Sequence, residues 1–350
     1  MRYSPFVRQF DLVPHKAGLR CGMPVWGKRF QCSDSERSER IQVTALGRTW
    51  PGRSSTIVTY QDKFGGPWTQ QKLEALGKYL QAYTTIFKRN PRARFYSISY
   101  VDAFAGTGTL RRPELGGFAD LMPELRKNED EFRKGSAIRA LEIEPHFDEY
   151  VFIEKSARKC RELRGIAARL PSRNIRIMNE DANSAMVKWC KKLNTRRERA
   201  VVFLDPFGAS VRWEAIAALG QTRAVDLWVL FPYSAINRML VRDHKPPKPW
   251  ADRLTSVFGT PDWERAFYST TAFRSLLDST QRVELVQKSV GYRDITDFFV
   301  ERLEREFAAV SKPLPLHNSN GSLLFMLFFA AGNEQSAKTG LKIANSIIGN

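Results

Sequence analysis

Between residues 95 and 231, short apolar runs alternate with stretches that have helical spacing. Five runs are rich in β-branched and aromatic residues, as strands are. They are Phe95–Val101, Tyr150–Ile153, Ile175–Met178, Ala200–Leu204 and Val225–Phe231. Helices are predicted between them, at 156–168, 184–193 and 213–219. Continuous apolar strands that alternate with helices predict an α/β fold, with a Rossmann-like, mostly parallel sheet covered on both faces.

The flanking segments are predicted to complete this sheet. A helix that Thr69 can cap follows the Gly65-Gly66-Pro67 break and ends near Lys88. Strands at 314–316 and 323–329 predict a C-terminal antiparallel hairpin across Asn320-Gly321, before a helix at 337–348. The predicted division is a basic, loosely ordered extension at 1–55, a core at 56–240, a helical insertion or cap at 241–311, and a hairpin and helix at 312–350.

The predicted cap carries an aromatic group for which two interpretations stay open. These residues could form the small core of a helical cap, or a lid with a stacking surface for a nucleic-acid base. The group consists of Trp250, Phe258, Trp263, Phe267, Tyr268 and Phe273.

The charge balance favours a polyanionic partner. The 350 residues include 55 basic and 37 acidic side chains, which gives a net charge of +18. A surplus of this size attracts DNA or RNA. The extension at 1–55 is basic as well, and it is either a nucleic-acid arm or a segment placed upstream of the true start.

Several classes of protein are disfavoured. The longest apolar run, Leu323–Ala331, has nine residues, whereas a membrane-spanning helix needs about 20. The first residues lack the apolar centre of a signal peptide. The four cysteines lack zinc-ribbon spacing, and His146 and His317 are isolated, so no metal is predicted. We expect a cytoplasmic protein with reduced thiols and no membrane association.

A glycine-spaced loop follows the first predicted strand and is the most specific sign of chemistry. Its sequence is Asp102-Ala103-Phe104-Ala105-Gly106-Thr107-Gly108. Glycines let the backbone approach a ligand closely, and the turn exposes N–H groups. A P-loop would need Gly-Lys-Ser/Thr, and a dinucleotide fingerprint would need a third glycine where Arg111 stands. A plain strand-to-helix turn stays open as the alternative.

The acidic residue that precedes this loop resembles the first motif of class I S-adenosylmethionine (SAM)-dependent methyltransferases. The resemblance implies that the loop wraps the methionine part of SAM. The wrapping residues would be Phe104, Ala105, Gly106, Thr107 and Gly108. Asp102 would accept a hydrogen bond from the ammonium group of SAM.

Two further acidic residues fall where that family holds SAM. Glu154 and Lys155 follow the second strand, and a carboxylate there can accept both ribose hydroxyls. Asp181 and Ala182 follow the third strand, where a carboxylate can accept the adenine amino group. Each carboxylate could instead cap a helix, and for Asp181 this interpretation is nearly as strong.

The fourth strand ends in Asp205-Pro206-Phe207-Gly208. This sequence resembles the Asp/Asn-Pro-Pro-Phe/Tyr motif of methyltransferases that act on exocyclic amino groups. The resemblance implies that Asp205 and the Pro206 carbonyl accept the target N–H groups and that Phe207 stacks on the base. The second proline of the motif is absent here, and Asp205 could instead cap the following helix.

Two polar features outside these motifs have two interpretations each. Asn237-Arg238 could bind a phosphate or carboxylate, or could form an internal salt bridge. The basic run at 188–199 is best interpreted as a solvated helix face and loop.

Taken in order, a series of motifs resembles the three-Cys-motif partner (TcmP) proteins of bacteria, over about Thr59–Ile348. The motifs are Phe64–Thr69, Val101–Gly108, Tyr150–Lys155, Val202–Gly208, Asp226–Trp228, Leu230–Pro232, Asn237-Arg238, Phe258–Thr260, Pro315-Leu316 and Lys342–Asn345. The resemblance implies a partner protein with a three-cysteine motif and a phage or mobile-element context. It implies no particular activity.

Three functions are compatible with these residues. The leading hypothesis is a SAM-dependent methyltransferase that acts on nucleic acid, with Asp205 and Phe207 orienting the target. The alternative is a non-catalytic SAM- or nucleotide-binding partner protein. A nucleotide-dependent nuclease ranks last, because the sequence shows no metal-binding carboxylate cluster.

Overall fold

The computed structural model describes residues 67–106, 135–206, 208–274 and 282–349, except for the side chains of residues 67, 273–274 and 282–284. The predicted extension at 1–55 lies outside these residues. So do Cys21, Cys32 and the loop residues Thr107 and Gly108, as well as Phe207. Cys160 is a buried free thiol, and Cys190 is a half-buried one.

The strands and helices alternate through the first two thirds of the described chain. The strands are β1 Ser97–Asp102, β2 Glu149–Ile153, β3 Ile175–Met178, β4 Glu198–Leu204, β5 Val225–Phe231, β6 Tyr268–Arg274, β7 Arg282–Lys288, β8 Ala309–Val310, β9 Leu314–His317 and β10 Leu323–Ala331. The helices are α1 Pro67–Arg89, α2 135–142, α3 Ala157–Ala168, α4 Ala182–Lys192, α5 Trp213–Gln221, α6 Tyr233–Met239, α7 Lys248–Phe258, α8 Trp263–Phe267, α9 Tyr292–Glu306 and α10 Ala337–Ile348. Since α1 begins at Pro67, Thr69 lies inside this helix and does not cap it.

The main sheet confirms the predicted α/β class. Its strand order is β3-β2-β1-β4-β5-β10-β8, and β9 also pairs with β10. Strands β1 to β5 are parallel, and β10 is antiparallel to β5. The order runs outward from β1 in both directions, so β1 and β4 form a topological switch point. In open α/β sheets, ligands bind in the crevice beyond the carboxyl ends of the strands at such a point.

Both faces of the sheet are covered by helices, which explains the continuous apolar strands. One face packs against α1, α2, α3 and α10. The other packs against α4 to α9. The C-terminal hairpin is confirmed as β9–β10, with Gly321 in its turn at a φ of +76°. No helix within the described ranges is long and apolar enough to cross a membrane.

The segment 241–311 differs from the predicted helical cap. Besides α7, α8 and α9, it contains the two-stranded β6–β7 sheet, and its strand β8 joins the main sheet. Its residues Phe258, Trp263 and Phe267 are buried in the same core as Phe231 of the main sheet. They have no free ring face to offer a base, so the lid interpretation is wrong for these three residues. The exposed Ser269–Ala272 stretch of β6 lacks the apolar alternation that identifies strands in a sequence.

Candidate functional site

Three buried carboxylates lie at the carboxyl ends of neighbouring strands. Asp102 ends β1, Glu154 follows β2, and Asp205 follows β4. Because these strands are adjacent and parallel, the three residues share one edge of the sheet, as the sequence predicts. A buried carboxylate is costly unless it is paired or hydrogen-bonded, so the partners of each one indicate what it does.

Asp102 shapes the loop that follows β1. Its Oδ1 accepts a hydrogen bond from the Phe104 N–H at 3.2 Å, and its Oδ2 accepts one from the Ser136 hydroxyl at 2.8 Å. The Ala105 N–H donates to the Ile153 carbonyl of β2 at 3.0 Å, which ties the loop to the neighbouring strand. The role of Asp102 toward an ammonium group stays a prediction. Ser136 lies on α2, far from the loop in sequence, and no sequence pattern pointed to it.

Gly106 turns the loop toward Glu154. Its φ of +98° is in the region that favours glycine. A Cβ at this position would lie 3.8 Å from Glu154 Oε2 and 3.6 Å from Lys159 Cδ. The glycine turn and the carboxylate after β2 are therefore neighbours in space. The remaining predicted loop residues, Thr107 and Gly108, lie beyond the described part of the loop.

Glu154 is fixed by its surroundings. Its Oε1 accepts a hydrogen bond from the Ser156 N–H at 2.5 Å, and its carbonyl accepts one from the Asn179 side chain at 2.9 Å. Lys155 is exposed, and its carbonyl accepts from the same Asn179 amide. Lys159 is buried on the inner face of α3 and was not predicted from the sequence as part of the site. A lysine in register with the buried Leu163, four positions on, was the available signal.

Asp181 is the N-cap of α4, so the capping interpretation is confirmed. Its Oδ1 accepts from the Ser184 N–H at 3.1 Å and from the Arg212 guanidinium at 3.2 Å, at an exposed position. Ala182 is the first helical residue and is buried. The Asn183 side chain donates to the Ser210 carbonyl and accepts from the Arg212 N–H, which joins the start of α4 to the loop after β4. A contact of Asp181 or Ala182 with adenine stays a prediction.

Asp205 forms a buried ion pair with Lys72 of α1. Lys72 Nζ lies 2.9 Å from Asp205 Oδ2, and both side chains are at most 3% exposed. Oδ1 of the same carboxylate is buried and has no hydrogen-bond partner among the described residues. The N-cap of the following helix α5 is Arg212, so the capping interpretation is wrong for Asp205. Pro206 is buried beside it, and Phe207 lies outside the described residues.

Lys72 was missed because a lysine usually lies on the solvated face of a helix. Its position carried a signal, since it stands midway between the core residues Trp68 and Leu76 at a spacing of four. The ammonium group also lies 4.9 Å from the centre of the Trp68 ring. A charged residue in the middle of an apolar helix face predicts a buried partner, here Asp205.

A buried phenol lies near two of the carboxylates. Burial raises the pKa of Tyr100 well above its usual value, and the negative charges of Asp102 and Asp205 raise it further. Its hydroxyl group has no hydrogen-bond partner within the described ranges. The Tyr100 hydroxyl therefore stays protonated and neutral.

The remaining predicted polar features lie outside this site. Asn237 Oδ1 accepts a hydrogen bond from Lys288 Nζ at 2.5 Å. In the basic run, Lys188 pairs with Glu180, and Arg199 stacks on the Tyr96 ring. Within the described ranges, no group of three or more His, Cys, Asp or Glu side chains is arranged to hold a metal ion.

No protein-family model matches the chain, and no curated protein matches it. Solved structures give weak likenesses. LPL1258 from Legionella pneumophila, of the family DUF519, is 13% identical, with a TM-score of 0.34 over 75% of this chain and 97% of that one. The candidate methyltransferase yhhF from Escherichia coli is 14% identical, with a TM-score of 0.25 over 60% of this chain and 84% of that one. The candidate methylase HI0767 from Haemophilus influenzae is 14% identical, with a TM-score of 0.27 over 64% of this chain and 100% of that one. TM-scores this low establish no common fold, so the α/β class rests on the strand order.

Proposed function

We propose that the chain is a SAM-dependent methyltransferase that acts on a nucleic acid. The observation that carries the proposal is Asp205 Oδ1, a buried acceptor without a hydrogen-bond partner among the described residues, beside the β1–β4 switch point. Leaving such an acceptor unsatisfied costs about 1–3 kcal/mol. A donor that arrives with a ligand removes this cost, and the exocyclic amino group of a base is such a donor.

The acceptors at this edge fit an adenosyl ligand. Glu154 Oε2 faces the glycine turn, where it can accept from ribose hydroxyls, and the loop from Asp102 to Gly106 supplies a close backbone approach. Predicted additions to this set are Thr107, Gly108, Lys155, Asp181 and Ala182. When bound, SAM supplies a methyl group that its sulfonium has already activated.

The protein residues act by orientation. Asp205 Oδ1 accepts an N–H of the target, while Lys72 holds Oδ2 and so fixes the direction of the carboxylate. Holding the acceptor nitrogen in line supplies much of the rate enhancement in such transfers. If the target base lies in a duplex, it must first be flipped out of the stack.

A non-catalytic SAM- or nucleotide-binding partner protein is the second candidate. Two observations favour it: the second proline of the amino-group motif is absent, and Lys72 already occupies one oxygen of Asp205. The order of motifs in the sequence supports membership of the TcmP family. On that basis we also propose a three-cysteine-motif partner and a phage or mobile-element context, which copurification with that partner would test.

Calorimetry with SAM and transfer of labelled methyl groups to DNA and RNA test the proposal. We expect saturable SAM binding and transfer to a nucleic acid. The variant Asp205→Asn should keep SAM binding and lose at least about 100-fold in transfer rate, as expected for an orienting group. The exposed Asp252→Asn is the matched control. Absence of heat at millimolar SAM would reject the methyltransferase and leave only a nucleotide-binding partner protein. Binding of SAM without transfer would favour the second candidate.

A further inference from the structure

A polar cavity lies apart from the strand ends. It has a volume of about 460 Å³ and lies between the end of α6, the segment that follows it, and the end of β7. Its lining residues are Asn237, Leu240, Arg242, Lys288, Ser289 and Val290. Neither the switch point nor the proposed SAM site includes any of these residues.

The charge of this cavity is wholly positive. Two of its described lining residues are cations, one is an amide and one carries a hydroxyl group, and none of them is a carboxylate. Neither Arg242 nor Lys288 forms an ion pair with any described residue. The Lys288 N–H donates to the Arg242 carbonyl at 2.8 Å, which holds the two cationic residues side by side.

Lys288 is held in place and partly removed from water. Its ammonium group donates to Asn237 Oδ1 at 2.5 Å, and its side chain is half-buried. Burial lowers the pKa of Lys288, because the ammonium group loses hydration and no carboxylate among the described residues forms an ion pair with it. An anion in the cavity would supply the missing counter-charge. The arrangement therefore favours an anionic ligand over a neutral one.

We propose that this cavity binds a backbone phosphate of the nucleic acid whose base is presented at Asp205. The second half of this inference rests on the proposed function. Helix α6 starts two residues after the carboxyl end of β5, the strand next to β4. Its seven residues span about 10 Å, a distance that a few nucleotides of one strand cover at about 3.4 Å each. Phosphate contacts of this kind fix register without reading sequence.

Titration of a fluorescent single-stranded oligonucleotide, followed by anisotropy at several salt concentrations, tests the inference. Arg242→Gln and Lys288→Gln should each weaken binding about 5- to 10-fold and lower the salt dependence by about one released ion. Lys338→Gln is the matched control, because Lys338 is exposed on α10 across the opposite face of the sheet. Equal effects of all three variants, or no effect of the first two, would overturn the inference.

Further measurements distinguish a nucleic-acid phosphate from a free phosphate, and the cavity inference from the proposed methyltransferase function. Inorganic phosphate and AMP are titrated in parallel, and loss of their binding with unchanged oligonucleotide affinity would identify a free-phosphate site and contradict the inference. Circular dichroism checks that the variants are folded, and Arg242→Lys should restore most of the affinity. SAM calorimetry on the same variants should be unchanged. Failure of SAM binding in the wild-type protein would overturn the proposed function and the link to Asp205. Phosphate binding by the cavity is read independently, from the oligonucleotide titration.

Discussion

A buried carboxylate is held differently at the two ends of the parallel strands. We call the end where these strands begin the amino edge and the end where they finish the carboxyl edge. At the amino edge, Asp226 at the start of β5 accepts a hydrogen bond from the Tyr79 hydroxyl at 2.8 Å. At the carboxyl edge, Asp205 pairs with Lys72 through one oxygen and leaves the other without a hydrogen bond from any described residue. The donor to Asp226 comes from the fold itself, whereas the open acceptor of Asp205 at a switch point suits a ligand.

The glycines at the two edges show the same difference in packing. A Cβ at Gly332 would lie 2.5 Å from the Val225 carbonyl oxygen, so that edge is closed against its own backbone. Among the described residues, a Cβ at Gly106 would come closest to the Lys159 side chain, at 3.6 Å. The amino edge is therefore filled by the protein itself, and the carboxyl edge keeps room beside its glycine.

Removal of Lys72 should have the largest effect. Lys72→Met leaves the carboxylate of Asp205 buried without its counter-charge, which costs about 3–5 kcal/mol of unfolding free energy. Chemical denaturation measures this loss. The double variant Lys72→Met/Asp205→Leu should recover most of the stability, because both charges are then absent.

The exposed pair Lys78–Glu74 on the same helix is the matched control. Lys78→Met should change the unfolding free energy by at most about 1 kcal/mol. A loss for Lys72→Met as small as that of the control would show that the buried pair does not stabilise the carboxyl edge.

Asp226→Asn should change how stability depends on pH. Burial raises the pKa of Asp226 from 3.8 to about 6, although the hydrogen bond from Tyr79 opposes the shift. The folded state thus binds the proton more tightly, so the contribution of this group is complete below pH 3.8 and is lost as pH rises through about 6. The loss amounts to at most about 3 kcal/mol.

Denaturation at a series of pH values from acidic to mildly alkaline measures this slope. The amide introduced by Asp226→Asn would keep an acceptor for Tyr79 without a titrating charge, so we expect a flatter profile and higher stability at alkaline pH. The exposed Asp252→Asn should leave the profile unchanged. Identical slopes for the wild-type protein and Asp226→Asn would contradict the assignment of a structural role to this edge.

The smallest effect on stability is expected at Gly106. Gly106→Ala meets no steric obstacle, so its cost of about 1–2 kcal/mol comes from the positive φ alone. SAM affinity should fall, because the loop must relax away from Glu154. Gly332→Ala should destabilise by about 1–3 kcal/mol through overpacking and leave SAM affinity unchanged. Equal SAM affinities for the two variants would contradict the assignment of ligand binding to the carboxyl edge and of a structural role to the amino edge.

The sequence predicted the sheet well, since local patterns determine it. Strands β3 and β5 and helix α10 begin and end where the apolar patterns predict. The first strand starts later than predicted, because Phe95 is 63% exposed in the turn before it. The pair β6–β7 was missed because its two strands pair with each other and Ser269–Ala272 of β6 is exposed, without the apolar alternation that identifies a strand.

For the site, the sequence predicted the residues that follow the strands but not their partners on distant helices. Asp102, Glu154 and Asp205 share one edge because consecutive parallel strands place their carboxyl ends together. Their partners Ser136 and Lys72 come from distant helices, and helix packing is not encoded near the motifs. The helix starts tested the capping interpretations: Asp181 caps α4, whereas Arg212 and not Asp205 is the N-cap of α5. The ligand roles of both residues stay predictions.

Strand β10 has a consequence for the biogenesis of this protein. It lies between β5 and β8, is almost entirely buried, and comes last among the described strands in the chain. During synthesis on the ribosome, the side of β5 that pairs with β10 therefore stays unpaired until residues 323–331 have left the exit tunnel. An exposed strand edge of this kind invites pairing with other chains, so a stalled nascent chain that ends before β10 should depend on chaperones more than the finished protein does.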